Sequence, residues 1–326
     1  MSEGPTGSPP PGSPEPPFEH QPVMGDEVVA LFGPVPPGPV VDATVGGGGH
    51  ARALLGAHPR IHLIGLDRDA DALAAAERAL RPFPGRVALR HATFDRITDI
   101  CEELGLGLVS GVLFDLGVSS PQLDRADRGF SYGGDGPLDM RMDRSQSRTA
   151  ADVVNEYSEE QLARVLWTLG DERHSRRIAR AVVAARPLHS TGELAEVIRS
   201  AIPAPARRRG GHPARRSFQA IRIEVNRELD LLPGALDAAV DRLAPGGRAV
   251  VLAYHSGEDR IVKSRFAEAV TGGCVCPPRL PCVCGAVPPV RLVWRGSHRP
   301  GPAELAANPR SESARLRAAE KLEVQP

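Results

Sequence analysis

The run Val40-Val-Asp-Ala-Thr-Val45 closes on four consecutive glycines and His50, and Ala51 to Leu55 then reads as helix. An apolar strand, a turn without side chains and a helix, in that order, constrain this chain more than any other feature. The pattern recurs. His62-Leu-Ile-Gly-Leu66 reads as a strand ending at Asp67, Ala70 to Leu80 as a helix, and Val87 to His91 and Val109 to Phe114 as further short strands. Strands alternating with helices predict an α/β, Rossmann-like architecture: a mostly parallel sheet with helices on both faces.

The alternation then stops for about a hundred residues, since 125–222 carry only helical periodicity with caps, such as Ser158-Glu-Glu-Gln161 ahead of Leu162, Val165, Leu166 and Leu169. This predicts an inserted all-helical small domain over 125–222, with the main domain discontinuous over 18–124 and 223–326. Phe218, Ile221, Val225, Leu229 and Leu232 are spaced as one helix leading back to the sheet. Leu236 to Leu243 continues as helix, Pro245-Gly-Gly247 ends it, and Arg248 to Tyr254 reads as a buried strand. Glu258 to Val270 reads as helix and Val290 to Arg295 as a last, exposed strand. Residues 1–17 hold seven prolines and little a core could use, so they read as a disordered tail.

Forty basic and forty acidic side chains cancel, which excludes a uniformly basic coat protein and an acidic tail protein. Charge is nevertheless concentrated: Arg173 to Arg222 contain twelve arginines against Glu193 and Glu196. Arginine matches phosphate geometry, so the insert is the expected nucleic-acid surface. No window approaches the roughly 18 uninterrupted apolar residues of a spanning helix, and the start lacks an export signal. The expectation is a cytoplasmic protein with no membrane partner. Cys274-Val-Cys276 and Cys282-Val-Cys284 offer four thiols, a count that suits a structural zinc at a spacing that suits it less. The alternative is free thiols.

Gly46 to Gly49 stand where backbone amides and a helix start meet a ligand. Gly46, Gly48 and Ala51, with Asp67 about 20 residues beyond, even satisfy a dinucleotide fingerprint, so a nicotinamide oxidoreductase is a rival. Asp42 weighs against it. A carboxylate four residues before the glycines suits a cationic amino-acid group, which S-adenosylmethionine carries, and repels a pyrophosphate. Asp67 would then take the ribose hydroxyls.

Seven segments in one order resemble the RsmH (MraW) family of 16S ribosomal RNA cytosine-N4 methyltransferases. They are Glu19-His-Gln-Pro-Val-Met24, Val41 to His50, Phe114 to Asp124, Gly136 to Asp143, His212 to Leu229, Tyr254 to Lys263 and Asn308 to Ala318. The resemblance implies a class I S-adenosylmethionine-dependent methyltransferase fold and methylation of a cytidine N4 in the decoding centre. It implies that Gly48, Gly49 and His50 contact the methionine part of the cofactor and Asp67 the ribose. Phe94, Asp115 and Gln122 would surround the adenine and sulfonium. The partner it implies is 16S rRNA within the small subunit; a homodimer stays open. Gly47, Ala51 and Gly257 depart from the family pattern, and none removes a proposed cofactor group.

Methyl transfer from a sulfonium is an in-line displacement, so positioning and exclusion of water matter most. The cytosine amine is a poor nucleophile, and an acceptor for its N–H would help it. After the fourth strand the chain reads Asp115-Leu-Gly-Val-Ser-Ser120, with no aromatic to hold a base. The base is therefore expected to be held from elsewhere, by Tyr254, Phe130 or Tyr132, with Asp139 and Asn226 as polar partners. A second reading is a non-catalytic ribosome-assembly protein that binds RNA on the same fold.

Overall fold

The computed structural model describes residues 22–207, 211–277 and 283–323. The proline-rich tail, Glu19 to Gln21, Arg208, Arg209 and Cys282 lie outside the described residues. Among the described residues one sheet has the order β3-β2-β1-β4-β5-β7-β6. Its strands are β1 (Gly38–Asp42), β2 (Ile61–Asp67), β3 (Val87–His91), β4 (Val109–Asp115), β5 (Leu243–Ala253), β6 (Val290–Leu292) and β7 (Arg315–Lys321). β1 to β5 run parallel, and β7 lies antiparallel between β5 and β6. This is the class I methyltransferase arrangement of a Rossmann-like sheet.

Adjacent strand residues serve opposite faces. Val40, Leu113, Val250 and Leu252 pack against α1 (Gly25–Phe32) and α2 (Gly49–Ala57), with Met24, Phe32 and Leu54 fully buried between them. Val41, Val112, Phe114 and Val251 point the other way. They meet α4 (Ile97–Glu103), α12 (Glu228–Arg242) and α13 (Ser256–Thr271), while α3 (Ala70–Leu80) packs beside α2. Strands covered on both faces explain the nearly continuous apolar runs that first suggested them.

Between β4 and α12 lie α5 (Ser120–Asp124), α6 (Ala150–Glu156), α7 (Glu159–Gly170), α8 (Ser175–Ala184), α9 (Thr191–Ala201), α10 (Ala204–Arg207) and α11 (Arg215–Asn226). Ser158 caps α7 through the predicted box with Gln161. These helices form a core of their own, from Phe130 to Val225. The helical insert thus runs four residues past the expected boundary at Arg222. The single helix expected over 218–232 is two helices, because Arg227 takes a left-handed conformation at φ 52° and turns α11 into α12. The end of the sheet also differs: β6 stops at Leu292, and β7 takes the place beside β5.

Insert and sheet are joined by a buried ion pair. The Arg128 guanidinium, 2% exposed, lies 2.8 Å from Asp69 in the turn after β2 and donates to the carbonyls of Arg141 and Met142. Gln122 Nε2 donates to the same Asp69 carboxylate at 2.8 Å. Removing one partner of a buried pair leaves the other charge uncompensated, a loss of about 3–5 kcal/mol. Arg128→Ala is therefore expected to lower unfolding free energy by that amount in denaturant titration. Arg125→Ala, which breaks an exposed pair with Asp71, is expected to change it little. Equal effects from the two would contradict the assignment of Arg128 as the link.

Candidate active site

The strand order reverses between β1 and β4, and at the carboxyl ends of these strands opens a cleft of about 1310 Å³. Crevices at such a switch point are where open α/β sheets bind ligands. The volume exceeds what a single small ligand needs, roughly 300–1,000 Å³. One wall belongs to the sheet and the other to the insert.

On the sheet side, Gly46 to Gly49 bring bare backbone to the wall. Gly48 begins α2 at φ 85°, and a Cβ there would stand 3.2 Å from the Ala76 backbone of α3, so both conformation and packing require glycine. Asp67 at the end of β2 orders this turn: Oδ2 accepts from the Gly46 N–H and Oδ1 from the Asp69 N–H, each at 2.8 Å. Burial pushes its carboxyl up to about 6, although both N–H donors oppose the shift. Asp42 sits below the wall, 1% exposed, and accepts from the Thr44 N–H. Burial pushes it up to about 7 against the pull of His50. Asp42 does not line the cleft, so the direct contact expected from its sequence position is absent; it acts on the wall through its charge.

His50, Asp115 and Tyr254 form one network on the wall. The Val23 carbonyl 2.9 Å from His50 Nε2 can only accept, which puts a proton on that nitrogen. Nδ1 faces Asp115 Oδ2 at 3.4 Å. Burial opposes the imidazolium, yet the hydrogen bond and charge of Asp115, then Asp42, carry His50 above its ordinary range. Asp115 Oδ1 accepts from the Tyr254 hydroxyl at 2.6 Å. Burial and that carboxylate hold the phenol well above its usual range, so it stays a donor. Asp115 is itself oriented by its N–H, which donates to Thr44 Oγ1 at 2.6 Å.

Phe94 and Gln122 also border the cleft. Phe94 lies just past β3, edge-on to Phe114 with 6.1 Å between ring centres. Gln122 is the N3 residue of the α5 capping box, accepting from the Ser119 N–H. On the insert side stand Phe130, Tyr132, Arg215, Phe218 and Arg222. Arg222 is locked to Glu228 by two bonds of 2.9 Å across the α11–α12 break.

The structure thus brings Gly48, Gly49, His50, Asp67, Phe94, Asp115, Gln122 and Tyr254 to one wall, with Phe130 and Tyr132 opposite. Asp139 and Asn226 are elsewhere. Asn226 is fully buried, its Oδ1 accepting from the Met142 N–H and its Nδ2 donating to the Met140 and Arg222 carbonyls. Asp139 is held by Arg141 through bonds of 2.8 and 2.9 Å. Neither side chain lines the cleft. Both fasten the loop 138–142, in which Met140 is left-handed at φ 57°, so neither is available as a polar partner for a base.

Thr44 and Arg68 escaped the sequence reading. Thr44 is one residue of an apolar strand end, and Arg68, on the cleft wall beside Asp67, reaches across to the Asn226 carbonyl at 2.7 Å. At Gly257, a departure from the family pattern, the chain is tied down: His255 Nδ1 accepts from the Gly257 and Glu258 N–H groups and caps α13. Cys274, Cys276 and Cys284 take no part in this cleft.

The profile of the MraW methylase family matches residues 17–322. The chain belongs to the MraW methylase family. It is 54% identical over 317 residues to the ribosomal RNA small subunit methyltransferase H of Thermobifida fusca, covering 95% of each chain. The protein of the same description from Salinispora tropica is 56% identical, over 87% of this chain and 77% of that one. That from Symbiobacterium thermophilum is 52% identical, over 94% and 98%. An rRNA methylase structure from Streptococcus thermophilus aligns over 93% of this chain and 98% of its own, at 11% identity and a TM-score of 0.42, too loose a likeness to bear on function. In this member of the MraW family, the cleft is the candidate site for S-adenosylmethionine. Its donor set fits that cofactor: bare amides, a carboxylate at the end of β2, an aromatic past β3, and carboxylates where a cation would sit.

The raised Asp67 carboxyl gives a pH dependence. A group whose native pKa is raised takes up its proton as pH falls through about 6, and the carboxylate's capacity to accept a pair of ligand hydroxyls is then lost. Cofactor affinity measured by calorimetry is expected to weaken by up to about tenfold per pH unit below that value. Asp67→Asn should bind more weakly at pH 7.5 and lose the dependence. A pH profile identical to the wild type in Asp67→Asn would remove Asp67 from the cofactor.

Proposed function

We propose that this chain is a cytoplasmic S-adenosylmethionine-dependent methyltransferase that modifies the exocyclic N4 of a cytidine in the decoding centre of 16S ribosomal RNA. The observation that carries the reading is a single cleft with a cofactor wall on the sheet and an aromatic, arginine-bearing wall on the insert. Family membership supports it, since the relatives compared are described as small-subunit ribosomal RNA methyltransferases.

S-adenosylmethionine supplies an electrophilic methyl on sulfur. The chain's residues hold the amine in line with it and keep water out. Tyr254 lines the sheet wall, its phenol donating to Asp115, so its oxygen lone pairs remain open to an N–H of the base. As nitrogen gains the methyl it must lose one proton, and Asp115 is the acceptor reached through Tyr254. A cytidine in a stack must be turned out to enter the cleft, at a few kcal/mol. Contacts to phosphate would supply that energy.

Those contacts are assigned to the exposed arginines of the insert. Arg186, Arg199 and Arg222 are committed to internal partners. Arg173, Arg176, Arg177, Arg180, Arg215 and Arg216 are exposed, with Arg176 and Arg180 one turn apart on α8. Replacing Arg173, Arg176, Arg177, Arg215 and Arg216 by Gln is expected to leave cofactor affinity intact and weaken binding to small-subunit RNA. The log-affinity against log-salt slope should flatten by about 0.7–0.9 for each phosphate that is no longer neutralised. An unchanged slope would place the RNA elsewhere.

Activity itself is tested with purified protein, small subunits and methyl-labelled S-adenosylmethionine. Label is expected in RNA with the wild type and to fall at least about tenfold with Tyr254→Phe, which lacks the oxygen that links the base N–H to Asp115. Tight cofactor and RNA binding with no transfer under any condition would favour the non-catalytic assembly reading.

A further inference from the structure

Residues 272–289, between α13 and β6, form an excursion in which no described residue is buried. An apolar core therefore does not hold it. Its apolar side chains face outward: Val275 is 89% exposed, Val283 88% and Val287 70%. The thiols alternate with the valines and converge: Cys274 and Cys276 are half-buried and Cys284 is exposed. Sγ atoms of Cys274, Cys276 and Cys284 all lie within 4.8 Å of one another, and those of Cys274 and Cys284 are 3.5 Å apart.

Tetrahedral zinc with bonds of about 2.3 Å sets sulfur–sulfur edges of roughly 3.8 Å, between the 3.5 Å of the Cys274–Cys284 pair and the 4.8 Å that bounds the whole cluster. The Val283 N–H points at Cys276 Sγ at 3.5 Å, a bond that favours the thiolate over the thiol. The base of the excursion is fixed separately. Gly272 ends α13 at φ 59°, and a Cβ there would strike the Val287 carbonyl oxygen at 2.4 Å. Backbone packing thus fixes the base, and three sulfurs bring the two described arms of the excursion together.

We propose that Cys274, Cys276 and Cys284 bind one zinc ion as thiolates and that this metal, in place of a hydrophobic core, orders the excursion. Each thiol releases its proton on binding, the metal keeps its oxidation state, and the three sulfurs occupy three of four tetrahedral positions. The site is structural and stands apart from the cleft, so it goes beyond the methyl-transfer reading and does not depend on it.

The test uses the full chain, purified under reductant without chelator. Metal analysis of the wild type is expected to give about one zinc per chain, released by a mercurial reagent, and the triple variant Cys274→Ser, Cys276→Ser, Cys284→Ser essentially none. Cobalt exchanged into the wild type should show thiolate-to-metal charge transfer and d–d bands of tetrahedral strength. Chelation should speed amide hydrogen exchange across 274–287 while affinity for S-adenosylhomocysteine, which reports an intact fold, stays unchanged in both proteins. Wild-type protein that binds S-adenosylhomocysteine yet takes up neither zinc nor cobalt under reductant would overturn the proposal. So would zinc that persists at the same stoichiometry in the triple variant.

Discussion

Asp69 and Arg128 make the contact on which the rest of the molecule depends. The turn after β2 carries Asp67, which orders the glycine turn, and two residues later Asp69, which is held from the other side by Arg128 and Gln122. Arg68 between them reaches the last carbonyl of α11. Three consecutive residues of one turn thus face a cofactor wall, an insert loop and an insert helix. Because these groups are buried, the insert cannot swing away without exposing an unpaired charge. Phe130 and Tyr132 thereby stand opposite the glycine turn. Two separate cores thus meet at one cleft.

The electrostatics of the wall follow from the same economy of space. Asp42, Asp67 and Asp115 lie close together around the glycine turn: the last two both raise the pKa of Asp42, and the His50 charge opposes them there. A pyrophosphate would add to this charge, which removes the nicotinamide reading suggested by the glycine spacing alone. A ligand with an ammonium and a sulfonium would relieve it. Burial already lifts Asp42 and Asp67 towards neutrality, so a cation that restores their charge releases protons, and the work of that ionisation reduces its affinity as pH falls.

The sheet was legible where sequence pattern and burial agree. β1, β2 and β4 are largely apolar because helices cover both faces, and the cleft residues stand at the ends of those strands, where a parallel sheet exposes them. β7 was not legible: Arg-Leu-Arg-Ala-Ala-Glu-Lys is composed of good helix formers, and only pairing with β5 and β6 makes it a strand. The α11–α12 break left no mark either, since the apolar spacing continues across it and Arg227 is neither Gly nor Pro. Asp139 and Asn226 were drawn to the site by residue type. Their direction is set by the left-handed Met140 loop, which no local pattern announces.

If the two walls of the cleft meet on a cytidine amine, nucleoside analysis of small-subunit RNA by mass spectrometry will find N4-methylated cytidine in cells that carry the gene, none in cells that lack it, and no recovery on complementation with Asp115→Ala. N4-methylation unchanged on removal of the gene would contradict this reading.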